Sequence, residues 1–335
     1  MPAERNIKLD HAKLFFIFCV VAGHVIANYE ADCLPVSSLL FFIYLFHVPG
    51  FVFLSGLFAK SSVKNSRWDK AASFLMLFLF MTVVRYAFML VRRAPAQLDL
   101  IFVTDARWYA LGMFFWYAAA ILLKKANPRL VMGVSVLLSM AAGYFTGHTS
   151  TFAWLRAVNF FPFFYAGLMT DPGRLMELTG RKRIRALSVL ILLAAAALAF
   201  WKVKGLAPWR LLFRGAKSYA LIDTELPLWS GAFWRLAAFP VSAAVSLAWI
   251  SLMPVKAIPN VSGLGGKTLS VYAFHSPAYQ TILYFLPFLN EWIRKSPVLL
   301  GLLFSALVLV FCSLPVFDRS VRRFMNLVVK KEEAA

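Results

Sequence analysis

Ten runs of apolar residues, each bounded by charges, prolines or glycines, succeed one another along the chain. They lie near 13–29, 35–58, 71–91, 107–123, 130–147, 152–170, 184–201, 232–253, 268–288 and 297–317. A helix needs about 20 apolar residues to cross roughly 30 Å of hydrocarbon. Inside that layer the backbone must satisfy its own polar groups, which a helix does. The pattern predicts an all-α, polytopic membrane protein of about ten transmembrane helices. The sixth run is the least regular, interrupted by Arg156 and Pro162. Lys and Arg favour the N-terminus, 59–70, 124–129, 171–183, 254–267 and the tail, which places both termini in the cytoplasm. The first run passes signal-peptide length without a convincing cleavage site and is expected to remain as a span of the cell membrane.

The organisation expected is one integral membrane domain over 1–317 and a basic cytoplasmic tail over 318–335. Within the tail, Arg319–Lys331 interleaves basic and apolar residues, the pattern of a membrane-surface anchor. The longest stretch between runs, 202–231, falls outside and mixes Trp209, Arg210, Arg214, Lys217, Asp223, Glu225 and Trp229. It is either a binding loop or a solvated connector with interfacial tryptophans.

Composition sharpens this picture in two places. Of 335 residues, 61% are hydrophobic and 15% charged, with a mean hydropathy of +0.72, well outside the range of soluble domains. The net charge of +20, from 35 Lys and Arg against 15 Asp and Glu, raises the question of nucleic acid. Its confinement to short segments between apolar runs points to the lipid bilayer instead, with no nucleic-acid partner. Cys19, Cys33 and Cys312 show no metal spacing, so no metal site or disulfide framework is expected.

Ionisable groups inside a span are costly and mark function by default. His24, Arg85, Arg156, Arg235 and His275 are such groups, and His47 beside Pro49 is a sixth. Lys13 precedes His24 by eleven residues, three turns plus about 20°, so the two share one helix face about 16 Å apart along the axis. Asp10 and Asn28 fall near that face. An elongated anionic ligand fits this line, its phosphates on Lys13 and its reactive end at His24. Histidine suits general-base work near neutral pH; a structural imidazole donating to a carbonyl is the other reading. Arg156 and His275 are candidates for stabilising an oxyanion or orienting an acceptor, against roles in bundle pairing and hydrogen bonding. Ser55 in Ser-Gly is read as a packing residue, and Arg85 and Arg235 as snorkelling or structurally paired.

Five segments resemble the membrane acyltransferase-3 family. Asp10-His-Ala-Lys13 followed by Val20-Val-Ala-Gly-His24 is similar to its helix-1 signature, and Phe46-His-Val-Pro-Gly-Phe-Val-Phe-Leu-Ser-Gly56 to its helix-2 run. Arg107-Trp-Tyr-Ala-Leu111 with Trp116 resembles the opening of its fourth helix. Arg156-Ala-Val-Asn-Phe-Phe-Pro-Phe-Phe-Tyr-Ala-Gly167 looks like the fucose-4-O-acetylase-like branch. Gly265-Gly-Lys-Thr-Leu-Ser-Val-Tyr-Ala-Phe-His275 is similar to the penultimate helix.

The resemblance implies an O-acyltransferase that moves an acetyl group from acetyl-CoA, a co-substrate rather than a bound cofactor, to a hydroxyl of a sugar or cell-envelope glycan. It implies His24 as the catalytic histidine with Lys13 as its basic partner. Asp10 on the same helix face is placed with them, and Arg156, His275 and Asn28 are expected at the acceptor or oxyanion from their positions along the spans. The family's Arg-x-x-Arg pair at helix 3 appears here as Arg67-Trp-Asp-Lys70. Lysine keeps the charge but lacks the planar fork of arginine. Lys64, Arg67 and Lys70 would then meet the donor phosphates. A secondary transporter or a polysaccharide export component also places charges at mid-membrane, although no inverted repeat is visible in the sequence.

Overall fold

The computed structural model describes residues 6–31, 33–222 and 227–329; Asp223, Glu225 and the tail beyond 329 lie outside them. Among the described residues the chain is helical throughout, with one isolated bridge between Phe102 and Thr151. Each of the ten apolar runs holds one principal helix: α1 Ile7–Ile26, α2 Leu34–Lys64, α3 Trp68–Val91, α4 Trp108–Leu122, α5 Pro128–Ala142, α6 Trp154–Met169, α7 Lys182–Trp201, α8 Gly231–Leu252, α9 Thr268–Phe285 and α10 Pro297–Cys312.

Length and apolarity single out fewer crossings than ten. Five described helices pass on both counts: α1 extended to Tyr29, α2, α3, α7, and α8 counted from Leu228. A sixth arises if α10 is joined to the helix Pro315–Met325, bent from it by 59°. The helices α4 and α5 are apolar but short. Polar residues separate α6 and α9 from the rest: Arg156 and Asn159 in one, Ser270, Tyr272, His275 and Gln280 in the other. These two helices bear several of the residues with chemistry.

The bundle has a centre and a rim. In their most apolar stretches α1 is 72% buried and α2 67%, whereas α3 is 22% and α7 11%. The tightest crossing is α2 on α6, and two glycines make it. A Cβ on Gly56 would stand 1.9 Å from the Phe164 carbonyl oxygen, and one on Gly167 would stand 1.9 Å from that of Phe53. Each backbone occupies the space a side chain would need, which is how small residues let membrane helices approach. This contact bears out the packing reading of Ser55-Gly56 and fixes α2 against the helix that carries Arg156.

Two segments depart from expectation. The tail is no free surface anchor over its first part, because Pro315–Met325 packs on α3 and α9. Phe324 meets Phe80 at 5.2 Å between ring centroids, Phe317 meets Phe274 at 4.6 Å, and Val321 is buried. The expected boundary at 318 therefore falls inside a helix. The stretch 202–231 is anchored by side chains from the bundle. Arg210 of the short helix Arg210–Arg214 forms an ion pair with Glu30, and buried Arg235 donates to the Leu212 carbonyl. That bond, together with the Arg85 Nε–Asp105 contact at 3.0 Å, agrees with structural roles for Arg85 and Arg235.

Candidate active site

His24 near the end of α1 and His275 in the middle of α9 meet across 251 residues of sequence. His24 Nδ1 lies 2.7 Å from His275 Nε2, with the ring planes within 5°. The other nitrogen of His275, Nδ1, faces the carbonyls of Val271 at 3.1 Å and Tyr272 at 2.9 Å. Carbonyls only accept, so Nδ1 of His275 carries the proton and Nε2 of the neutral ring accepts. His24 must then donate through Nδ1–H, which leaves its Nε2 with the lone pair. A second histidine thus holds His24 in the tautomer of a base, as a carbonyl or carboxylate does elsewhere.

A cavity of about 220 Å³ opens on His24 and is lined also by Tyr44, His47, Asp105, Arg156 and Arg214. His47 Nδ1 donates to the Ile43 carbonyl at 2.7 Å, in the turn of α2 that precedes Pro49. Arg156 is 8% exposed and lies over the Trp108 ring at 5.2 Å. Among the described residues no hydrogen bond or ion pair engages its guanidinium. Tyr272 donates its hydroxyl to the Ala106 carbonyl and so ties α9 to the segment before α4.

A second cavity, about 430 Å³, lies toward the N-terminal end of α1. Lys13, Lys70 and Arg322 line it together with Ser55, Phe58 and Asp318. Lys13 pairs with Asp10 at 2.7 Å and sits 4.5 Å above the Phe58 ring. Arg322 pairs with Asp318 at 2.7 Å and donates to the Gly266 carbonyl at 2.8 Å. The Gly265-Gly266 turn presses on the first turn of α1 so closely that a Cβ on Gly265 would lie 2.5 Å from the Asp10 carbonyl oxygen. The two cavities share Phe51 and Tyr109 as walls. There the Tyr109 hydroxyl and Ser55 Oγ stand 2.6 Å apart, forming a neck between vestibule and chamber.

Not every expected residue comes to these cavities. His24, His275 and Arg156 gather in the chamber, and Lys13 and Lys70 in the vestibule. Asp10 joins through Lys13. Lys64 is exposed at the last turn of α2 and lines neither cavity. Arg67 folds onto Asp69, Nε to Oδ1 at 2.9 Å and Nη2 to Oδ2 at 2.8 Å, outside the vestibule wall. Asn28 turns back to cap α1, donating to the carbonyls of His24 and Val25 at 3.1 and 2.9 Å. Three polar residues that the sequence did not single out as site residues also line these cavities: Arg214, Tyr109 and Arg322. Tyr109 stood inside a quoted motif, and the other two lay in segments assigned to a loop and a tail.

Fold and site together define an integral membrane protein with a polar centre buried in its helices. The model of the acyltransferase-3 acyltransferase domain matches residues 6–317, so the chain belongs to that family and is a membrane acyltransferase. Comparison with curated proteins and with solved structures gave no match.

Proposed function

We propose that the protein transfers an acetyl group from acetyl-CoA to a hydroxyl of a sugar or cell-envelope glycan, with His24 as general base. The observation that carries this is the His24–His275 couple, whose acceptor nitrogen is left at a chamber joined by a neck to a lysine-bearing vestibule. The donor's phosphates sit on Lys13, Lys70 and Arg322, and its uncharged arm passes Phe51 and Tyr109. His24 Nε2 takes the acceptor proton as the hydroxyl oxygen attacks the thioester carbon. Arg156 faces the tetrahedral oxyanion. The carbon–sulfur bond then breaks, and His24 returns the proton to the leaving thiolate. His275 donates nothing to substrate; it holds the His24 ring.

Ten crossings with both termini in the cytoplasm of the cell membrane complete the proposal, since this orientation puts the vestibule on the side where acyl-CoA is made. The sugar acceptor follows the fucose-4-O-acetylase-like pattern at Arg156–Gly167. The test is CoA release and acetyl incorporation by the purified protein given acetyl-labelled acetyl-CoA and a mixed glycan acceptor. Release above background that disappears in His24→Ala is expected. A correctly inserted wild-type protein that never cleaves the thioester would overturn the reading.

A further inference from the structure

Two guanidinium groups face the His24 chamber without a counter-charge of their own. Arg156 on α6 is more than nine-tenths buried; it lies over the Trp108 ring, feels Asp105 only through space, and among the described residues has no hydrogen bond or ion pair. Arg214 reaches the same chamber from the short helix Arg210–Arg214 and likewise has no such partner. Its neighbour one turn earlier, Arg210, has Glu30. Among the described residues, Asp105 is the one carboxylate lining the chamber, and it is already shared between Arg85 at 3.0 Å and Arg107 at 2.8 Å.

An unpaired buried cation is expensive, because its lost hydration is not repaid by a partner. A recess of about 210 Å³ adjoining the chamber at Asp105, Ala106 and Tyr272 adds Arg92, which leaves the balance positive. The transient oxyanion supplies one negative charge and only during reaction. The donor's phosphates belong to the vestibule at the other side of the neck, and its thioester end is neutral. Among the described residues no carboxylate is left over for buried Arg156 in the ground state, and this points to a charge that comes with the acceptor.

We infer that the acceptor carries an anionic group, a carboxylate or a phosphate, held by Arg156 and Arg214 while its hydroxyl faces His24. This rests on the acyl-transfer reading for the hydroxyl's role but not for the anion site itself. Arginine suits the task because its fork matches both oxyanions. Arg214 serves as the adjustable half: it lies at the exposed edge of the chamber on a segment tied down by Glu30–Arg210 and by Arg235.

The experiment titrates the full-length protein in lipid nanodiscs with three sugars that share one ring: glucose, glucuronate and glucose 6-phosphate. Calorimetric binding of at least one anionic sugar about tenfold tighter than glucose is expected. In Arg156→Gln and Arg214→Gln that preference falls, and Arg156→Lys retains part of it, which separates charge from folding. Tighter binding of glucuronate assigns a carboxylate, and of glucose 6-phosphate a phosphate. Equal binding of all three sugars to the wild type, or a preference untouched by both Gln variants, overturns the inference. CoA release, measured on the same preparations, decides the acyl-transfer reading separately: its absence beside an intact anion preference sinks that reading and leaves this site standing.

Discussion

The vestibule and the chamber are both lined by basic residues, but they manage the charge in opposite ways. In the vestibule Lys13 is paired with Asp10 and Arg322 with Asp318, and both cations keep solvent contact. In the chamber Arg156 is buried and, among the described residues, has no hydrogen-bond or ion-pair partner. Hydrated, paired cations bind weakly and exchange quickly, which suits the proposed acetyl-CoA donor, whose CoA would leave after every turnover. A desolvated cation interacts strongly and with direction, which suits the place where charge develops. The neck at Phe51 and Tyr109 keeps one regime from leaking into the other.

The largest effects should therefore come from the chamber. His24→Ala removes the proposed base and should lower kcat by about 10²–10⁴-fold, with the protein still inserted and folded. CoA release under saturating acetyl-CoA measures it, and a wild-type rate in this variant would remove the chamber from the mechanism. His275→Gln should cost less and should act on kcat with little change in the donor KM, since it reaches the reacting groups only through the His24 ring. A change confined to KM would assign His275 to binding instead.

How much of this was legible in the sequence differs by element. The ten apolar runs each gave a helix because hydropathy is a local property. The meeting of His24 and His275 is not local: no spacing along α1 or α9 announces a partner 251 residues away, and although both stood out as ionisable groups inside spans, nothing in the sequence paired them. Asn28 shows the limit of helix-face arithmetic. It does follow His24 by one turn, but α1 ends there in a tight turn over Ala27–Tyr29, and the carbonyls of His24 and Val25 in the last turn of α1 capture the side chain. The Pro315–Met325 helix was misplaced for another reason. Its stripe of Phe317, Val321 and Phe324 fits a lipid surface and a helix groove equally well, and the groove between α3 and α9 appears only after folding.

A mid-sized effect tests whether the two regions are held in register by packing. Gly56→Ala puts a Cβ where the Phe164 carbonyl oxygen stands, and backbone cannot yield cheaply. The change should cost about 1–3 kcal/mol, as overpacking does, read as a lower Tm in detergent. It also pushes Ser55 and the neck away from α6, so catalysis should fall further than stability alone explains. A variant with unchanged Tm would mean that α2 and α6 are further apart than 1.9 Å allows.

The smallest effects belong to the vestibule, and they are the sharpest test of the contrast. Lys13→Ala and Arg322→Ala each remove a partly hydrated cation that already has a carboxylate partner. Exposed pairs of this kind contribute about 0.2–1 kcal/mol, so each variant should raise the acetyl-CoA KM no more than about fivefold and leave kcat nearly unchanged. Added salt should raise the wild-type KM through screening and do so less steeply in either variant, because fewer charges remain to be screened. The Arg322 result carries the most information, since it alone distinguishes a C-terminal helix that walls the donor site from one that merely lies against α3 and α9. A KM indifferent to Arg322 but still raised by salt would return that helix to a packing role and leave Lys13 and Lys70 to hold the donor. A KM indifferent to salt as well would remove the whole vestibule from donor binding, and a loss of kcat instead would mean that the neck does not separate the two charge regimes.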